Sequence, residues 1–183
     1  MDETARIEVW VGEPYAGLAA EKTLRRVAET VIERERHSGP DRVSITVTGD
    51  EQLRALNLRF RGEDAVTDVL SFGADVAHDG DVPGGGAEFV LPPGEAQSLG
   101  DVVISFPQAE RQAAQAGRPV EHELALLAAH GVLHLLGFDH AEPGQEAVMF
   151  RKTDEILAEI FGPGAVPMPP VIHDKPASGG EGE

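Results

Sequence analysis

EHELALLAAHGVLHLLGFDH (residues 121–140) is the most apolar helical stretch of the chain, and its last eleven residues hold three of the seven histidines. Pro119 suits a helix start, and Gly137 permits the left-handed C-cap that ends one. Residues four apart lie on one helical face a turn from each other, so His130 and His134 can face a single ion. With the chain turned back at Gly137, His140 reaches the same point from the loop. Three neutral imidazoles leave a fourth tetrahedral position for water, which is the pattern of a catalytic rather than a closed structural zinc. A lone histidine on an apolar helix is usually a satisfied core residue. Three at this spacing, on a helix broken by glycine in the right place, favour a metal.

The spacing H-x3-H-x5-H is also that of zinc proteases, in which a glutamate base follows the first histidine. Gly131 stands at that position here and disfavours a peptidase. Asp139, Asp68 and Asp101 are the carboxylates available as a substitute base, each with a competing role as a turn, strand-end or hydrogen-bonding residue. Gly131, lacking a side chain, is also expected to leave room near the metal for a bulky phosphodiester. The other histidines, His37, His78, His122 and His173, read as solvated or capping residues; His122 lies two turns before His130 on a similar face.

Outward from this helix the pattern alternates between periods of two and 3.6. IEVWV (7–11) and VSITVT (43–48) alternate as strands, and between them Leu24, Val27, Ala28 and Val31 mark an amphipathic helix, which suggests a parallel crossover. DEQLRALNLRF (50–60) opens with an acidic N-cap and puts Leu53, Leu56 and Phe60 on one helical face. VTDVLSF (66–72) and DVVISF (101–106) read as strands. Pro107 starts a short helix, and a last one runs from about Pro143 to Phe161. Residues 73–98, rich in Gly, Pro and Asp, are expected to form a flexible acidic insertion, and 162–183 a disordered Pro/Gly-rich tail. The 183 residues suit one domain, 1–161, with a single core.

The chain has no cysteine, so any metal falls to histidine, carboxylate and water. No window is apolar enough to span a membrane, and the start lacks a secretory pattern, so a cytoplasmic protein is expected. The net charge of -17 argues against a protein that coats nucleic acid. Residues 1–62 nevertheless hold 10 basic against 11 acidic residues, while the rest hold 5 against 21. An RNA groove would therefore draw on the first third, where Arg25, Arg26, Arg34 and Arg36 lie on or near one helix. Arg54, Arg59 and Arg61 sit near a helix end, where cations suit the dipole.

HGVLHLLGFDH resembles the H-G-x-L-H-L-x-G-Y-D-H signature of the YbeY family of bacterial endoribonucleases, with Phe138 for the usual Tyr. LNLRFRGEDAVTDVLSF (56–72) is similar to that family's L-N-x-x-Y-R-x-x-x-x-x-T-D-V-L-S-F, and LGDVVIS (99–105) to its L-G-D-I-V-I. The resemblance implies an α+β fold, with a small mixed four-stranded sheet, about five helices and a zincin-like metal helix. It implies a zinc-dependent, single-strand-specific endoribonuclease in 16S rRNA 3'-end maturation and ribosome quality control. One Zn2+ would be held by His130, His134 and His140, with His130 and Arg61 as catalytic residues and Arg61 meeting RNA phosphate; Phe60 replaces the family's Tyr. Expected partners are single-stranded RNA, the small ribosomal subunit and assembly factors, with no membrane. Whether water or a ribose 2'-hydroxyl attacks is left open. A rival of another class is a non-catalytic ribosome-assembly protein whose zinc only ties the last helix to its loop.

Overall fold

Val43, Ile45 and Val47 alternate with half-exposed residues and are fully buried, so β2 (Arg42–Thr48) lies inside a sheet with one face in the core. The computed structural model describes residues 6–18, 20–35, 42–74 and 98–166. The expected insertion, apart from its ends, lies outside these residues, as do residues 167–183 of the expected tail, Arg36, His37, His78 and His173.

β2 pairs in parallel with β1 (Ile7–Val11) on one side and with β4 (Ser98–Ser105) on the other. β3 (Val69–Gly73) closes the other edge, antiparallel to β4, giving the order β1-β2-β4-β3. Among the described residues five helices complete the mixed α+β domain: α1 (Glu21–Arg34), α2 (Asp50–Arg61), α3 (Phe106–Ala116), α4 (Val120–Leu135) and α5 (Pro143–Phe161).

The two faces of the sheet are covered unequally. Ile7, Val43, Ile45, Val47, Val102 and Ile104 share one core cluster with residues of α1, α4 and α5 such as Leu24, Val27, Leu124, Val132, Ile156 and Leu157. Each such side chain contributes about 1.5–3 kcal/mol on burial. On the opposite face α2 packs, with Leu53 and Leu56 against Leu70 and Val103. α4 runs between the sheet and the other helices, and burial on several sides explains why it is apolar nearly all round.

Two glycines bring α4 close to the strands. A Cβ on Gly131 would stand 2.5 Å from Val102 Cγ1 and 3.2 Å from Ser71 Oγ. Gly100, at φ +146°, has the Phe72 carbonyl oxygen 2.2 Å and Leu135 Cδ2 2.8 Å from where its Cβ would be. Backbone therefore meets side chain with nothing between, and the histidine-bearing end of α4 is held against edge strand β3.

Several element ends differ from the sequence expectation. β3 starts at Val69 rather than 66, because Asp68 Oδ1 accepts the Val69 N–H at 2.8 Å and fixes a turn-like entry. Phe106 opens α3 instead of ending β4: Ser105 caps that helix by accepting the Gln108 N–H at 3.2 Å. Gly73 and Ser98 belong to strands, and packed structure continues to Val166, which is 2 % exposed, rather than stopping at Phe161.

Candidate metal centre

α4 delivers His130 and His134 one turn apart, with Nε2 atoms 3.1 Å from each other. Beyond the last turn, Gly137 adopts φ +92° and the chain reverses. Asp139 Oδ1 accepts the His140 N–H at 2.7 Å, which fixes the turn that presents the third imidazole. The His140 ring centroid lies 5.5 Å from that of His130 and 5.0 Å from that of His134. One nitrogen from each histidine falls in a group whose members all lie within 4.8 Å of one another, so the group can bind a metal ion. Two nitrogens about 2.0–2.1 Å from a tetrahedral ion stand roughly 3.4 Å apart, so the donors need only small adjustments to close on one.

The electrostatics suit ligation. Burial, followed by the neighbouring His134 and His140, pushes His130 down to about 3. His134 is also lowered, chiefly by burial and then by His140, with Arg61 adding to the effect; Asp139 and the Phe138 backbone oppose it. Depressed imidazoles are neutral at ordinary pH, as metal ligands must be. Among the described residues no fourth histidine or carboxylate joins the three, so one side of a bound ion would stay open.

Arg61 ends α2 and is exposed. The helix stops there because Gly62 is left-handed, at φ +73°, and its N–H returns to the Leu58 carbonyl at 3.0 Å. Arg61 makes no ion pair with a described residue, yet its charge is felt at His134. Its neighbours are engaged. Arg54 pairs with Asp64 at 2.6 Å, and Arg59 lies 5.3 Å from the Phe60 ring centroid. Phe60, at the family's Tyr position, packs on Phe72 with centroids 4.9 Å apart.

Other expectations change. Asp68 is not at the cluster: it accepts from Gln112 of α3 at 3.1 Å. Asp101 points to the sheet face away from α4, beside Ser44, Arg42 and Glu8. Of the three carboxylates, Asp139 alone acts on the histidines. Gly131 does not open space at the metal; its missing Cβ is what lets α4 lie on Val102 and Ser71. Of the four arginines expected to line an RNA groove, Arg36 lies outside the described residues and two have partners within the protein. Arg34 pairs with Glu155 and Glu159 of α5 at 2.8 and 3.0 Å, and Arg25 donates to the Ile7 carbonyl. His122 is neither solvated nor a ligand, since it packs on Phe161 at 4.3 Å and its Nδ1 lies 3.3 Å from the Ala165 carbonyl oxygen. Ser71, which the sequence reading passes over, donates to the Gly131 carbonyl at 3.1 Å and steadies the turn that carries His130. Its signal was a polar residue on the inward side of an alternating strand.

Residues 14–161 match the profile of the family described as Endoribonuclease YbeY. An Endoribonuclease YbeY of Dehalococcoides mccartyi is 40% identical over 154 residues, which cover 84% of this chain and 96% of that protein. The Chloroflexus aurantiacus protein of the same name is 41% identical over 157 residues, 85% of this chain and 95% of its own. The solution structure of a Thermotoga maritima protein shares the fold, with a TM-score of 0.55 at 24% identity over 85% of this chain and 89% of that one. With three sequence blocks, nearly the whole domain and the fold in agreement, this chain belongs to the YbeY family of endoribonucleases, hydrolases that cut RNA internally.

Proposed function

We propose that the chain is a zinc-dependent endoribonuclease that cuts single-stranded RNA in the cytoplasm, acting in 16S rRNA 3'-end maturation and in ribosome quality control on the small subunit. The observation that carries this reading is the cluster of His130, His134 and His140, three nitrogens within 4.8 Å, beside Arg61, which has no ion-pair partner among the described residues. The donor set fits zinc: all imidazole, with His130 and His134 depressed by burial, and no thiolate in the chain. When bound, the ion supplies Lewis acidity toward a phosphoryl oxygen at the open side of the cluster.

The protein's own residues supply orientation and charge. Arg61 offers a planar, permanently charged fork that can hold a non-bridging phosphate pair and offset the charge gathering there during cleavage. Asp139 holds the His140 turn through the backbone and does not occupy the cluster. Ser71 and the close contact at Gly131 keep α4 seated on β3, so the imidazoles are placed before substrate arrives.

The test combines metal analysis of freshly purified protein with cleavage of single-stranded RNA, duplex RNA and DNA by wild type and His134→Ala. Stoichiometric zinc, cleavage of single-stranded RNA alone, and loss of both metal and activity in the variant are expected. Equal cleavage of DNA and RNA, or full activity in His134→Ala, overturns the reading. In cells, loss of the protein is expected to leave 16S precursor with an extended 3' end, cured by wild type and not by His134→Ala.

A further inference from the structure

Beside the metal turn lies a cavity of about 320 Å³, lined by Gly137, Phe138 and Asp139 on one side and by Gly144, Gln145 and Val148 of α5 on the other. It adjoins the histidine cluster, because Asp139 lines it, accepts the His140 N–H and acts electrostatically on His134. We propose that this cavity is a subsite for a nucleobase next to the scissile phosphate, and that it prefers a base carrying an exocyclic amino group. The inference rests on the reading of the chain as an RNA-cutting enzyme and specifies which part of the substrate this wall receives.

Size and chemistry both favour a base. The volume suits one flat ring system with room for its sugar edge, at the lower end of small-ligand sites. Phe138 and Val148 provide apolar surface, while the Gln145 amide can both donate and accept. Asp139 Oδ1 is taken by the His140 N–H, which leaves Oδ2 to accept from an amino group. The same carboxylate repels phosphate, so the backbone is directed toward Arg61 and the uncharged base toward α5. Lys152 Nζ lies 4.9 Å from the Phe138 ring centroid and is itself paired with Glu35 at 2.9 Å, which favours the ring position that leaves the cavity open. Phenylalanine in place of the family's usual tyrosine removes a hydroxyl from this wall, which leaves recognition of the amino group to Asp139 and Gln145.

The experiment uses the metal-loaded full chain and end-labelled single-stranded RNA oligonucleotides that differ by cytidine or uridine at each position flanking the cut. Wild type is expected to favour cytidine over uridine at one flanking position. Val148→Trp, which fills the cavity, and the exposed-site variant Gln145→Trp are expected to lower kcat/KM about tenfold, mainly through KM, as for a lost base contact. Gln145→Leu is expected to flatten the cytidine preference. Metal content should stay at the wild-type level in all three, which a general disruption of the centre would not allow. Unchanged cleavage positions and kcat/KM in a folded, metal-loaded Val148→Trp or Gln145→Trp overturn the subsite, as does indifference of wild type to every cytidine–uridine exchange. Wild type that binds metal and cuts no RNA overturns the functional reading itself, and the subsite falls with it.

Discussion

A methyl group on residue 131 would press to within 2.5 Å of Val102 Cγ1, a distance that neither β4 nor α4 can relieve without moving. Gly131→Ala is therefore expected to cost about 1–3 kcal/mol of stability, read as a lower midpoint in thermal or urea unfolding. Gly131→Glu should unfold the protein rather than create a peptidase; a folded, metal-loaded Gly131→Glu would refute this account of the glycine. The sequence made the absence of a protease base plain, but the reason for glycine lay in Val102, far off in the chain and adjacent only after folding. Asp101 shows the same limit. Val102 and Ile104 look inward and Val103 is equally apolar, so alternation alone did not say which face Asp101 occupies. It is half-buried beside Ser44, Arg42 and Glu8, and burial, the largest effect, raises its pKa. The folded state then keeps a proton that the unfolded chain releases near pH 3.9. This contribution to stability is present below that pH and is lost as pH rises through the raised folded value. Asp101→Asn, which stays neutral, should gain in melting temperature relative to wild type as pH rises from about 3 to 6; a constant difference over that range would contradict the assignment.

Between α3 and α4 the chain turns on a buried ion pair, Arg118 with Glu123, whose side chains are 8% and 4% exposed and 2.5 Å apart at the closest atoms. Desolvation dominates at Glu123 and raises its pKa, so the pair is a poor source of net stability but an expensive one to break. Arg118→Leu alone should destabilise by about 3–5 kcal/mol, and Arg118→Leu with Glu123→Leu should recover most of that loss. Equal destabilisation by the single and double variants would show that the charge pairing is not what matters. The pair was invisible to periodicity, which reports which face of α4 is apolar and says nothing of a charged residue buried with its partner. Periodicity did locate every helix and strand core among the described residues, because each buries one stripe or one face. It failed at ends governed by side chains bonding to nearby backbone: Asp68 at the start of β3 and Ser105 at the start of α3.

Over the whole molecule, an acidic protein with a net charge of -17 must act on a polyanion. Three arginines of the near-neutral first third are consumed by ion pairs within the fold: Arg34 by α5, Arg42 by Glu8 at 2.8 Å, and Arg54 by Asp64. Sequence charge counts could not reveal this, because ion pairing depends on which elements meet. Arg61 was singled out only through the family resemblance; among the described residues it has no ion pair, and its charge reaches His134. Binding of RNA should then rest on few phosphate contacts against a repulsive background. The slope of log kcat/KM against log salt concentration is expected to be shallow, about -0.7 for each phosphate neutralised on a single strand. Arg61→Ala should lower kcat/KM roughly 10- to 100-fold, the loss of one charge-assisted contact, with metal content unchanged. It should also flatten the salt slope by about 0.7. A steep slope that survives Arg61→Ala would mean that another basic surface holds the RNA, and that the route from Arg61 to the histidines is not the path of the substrate.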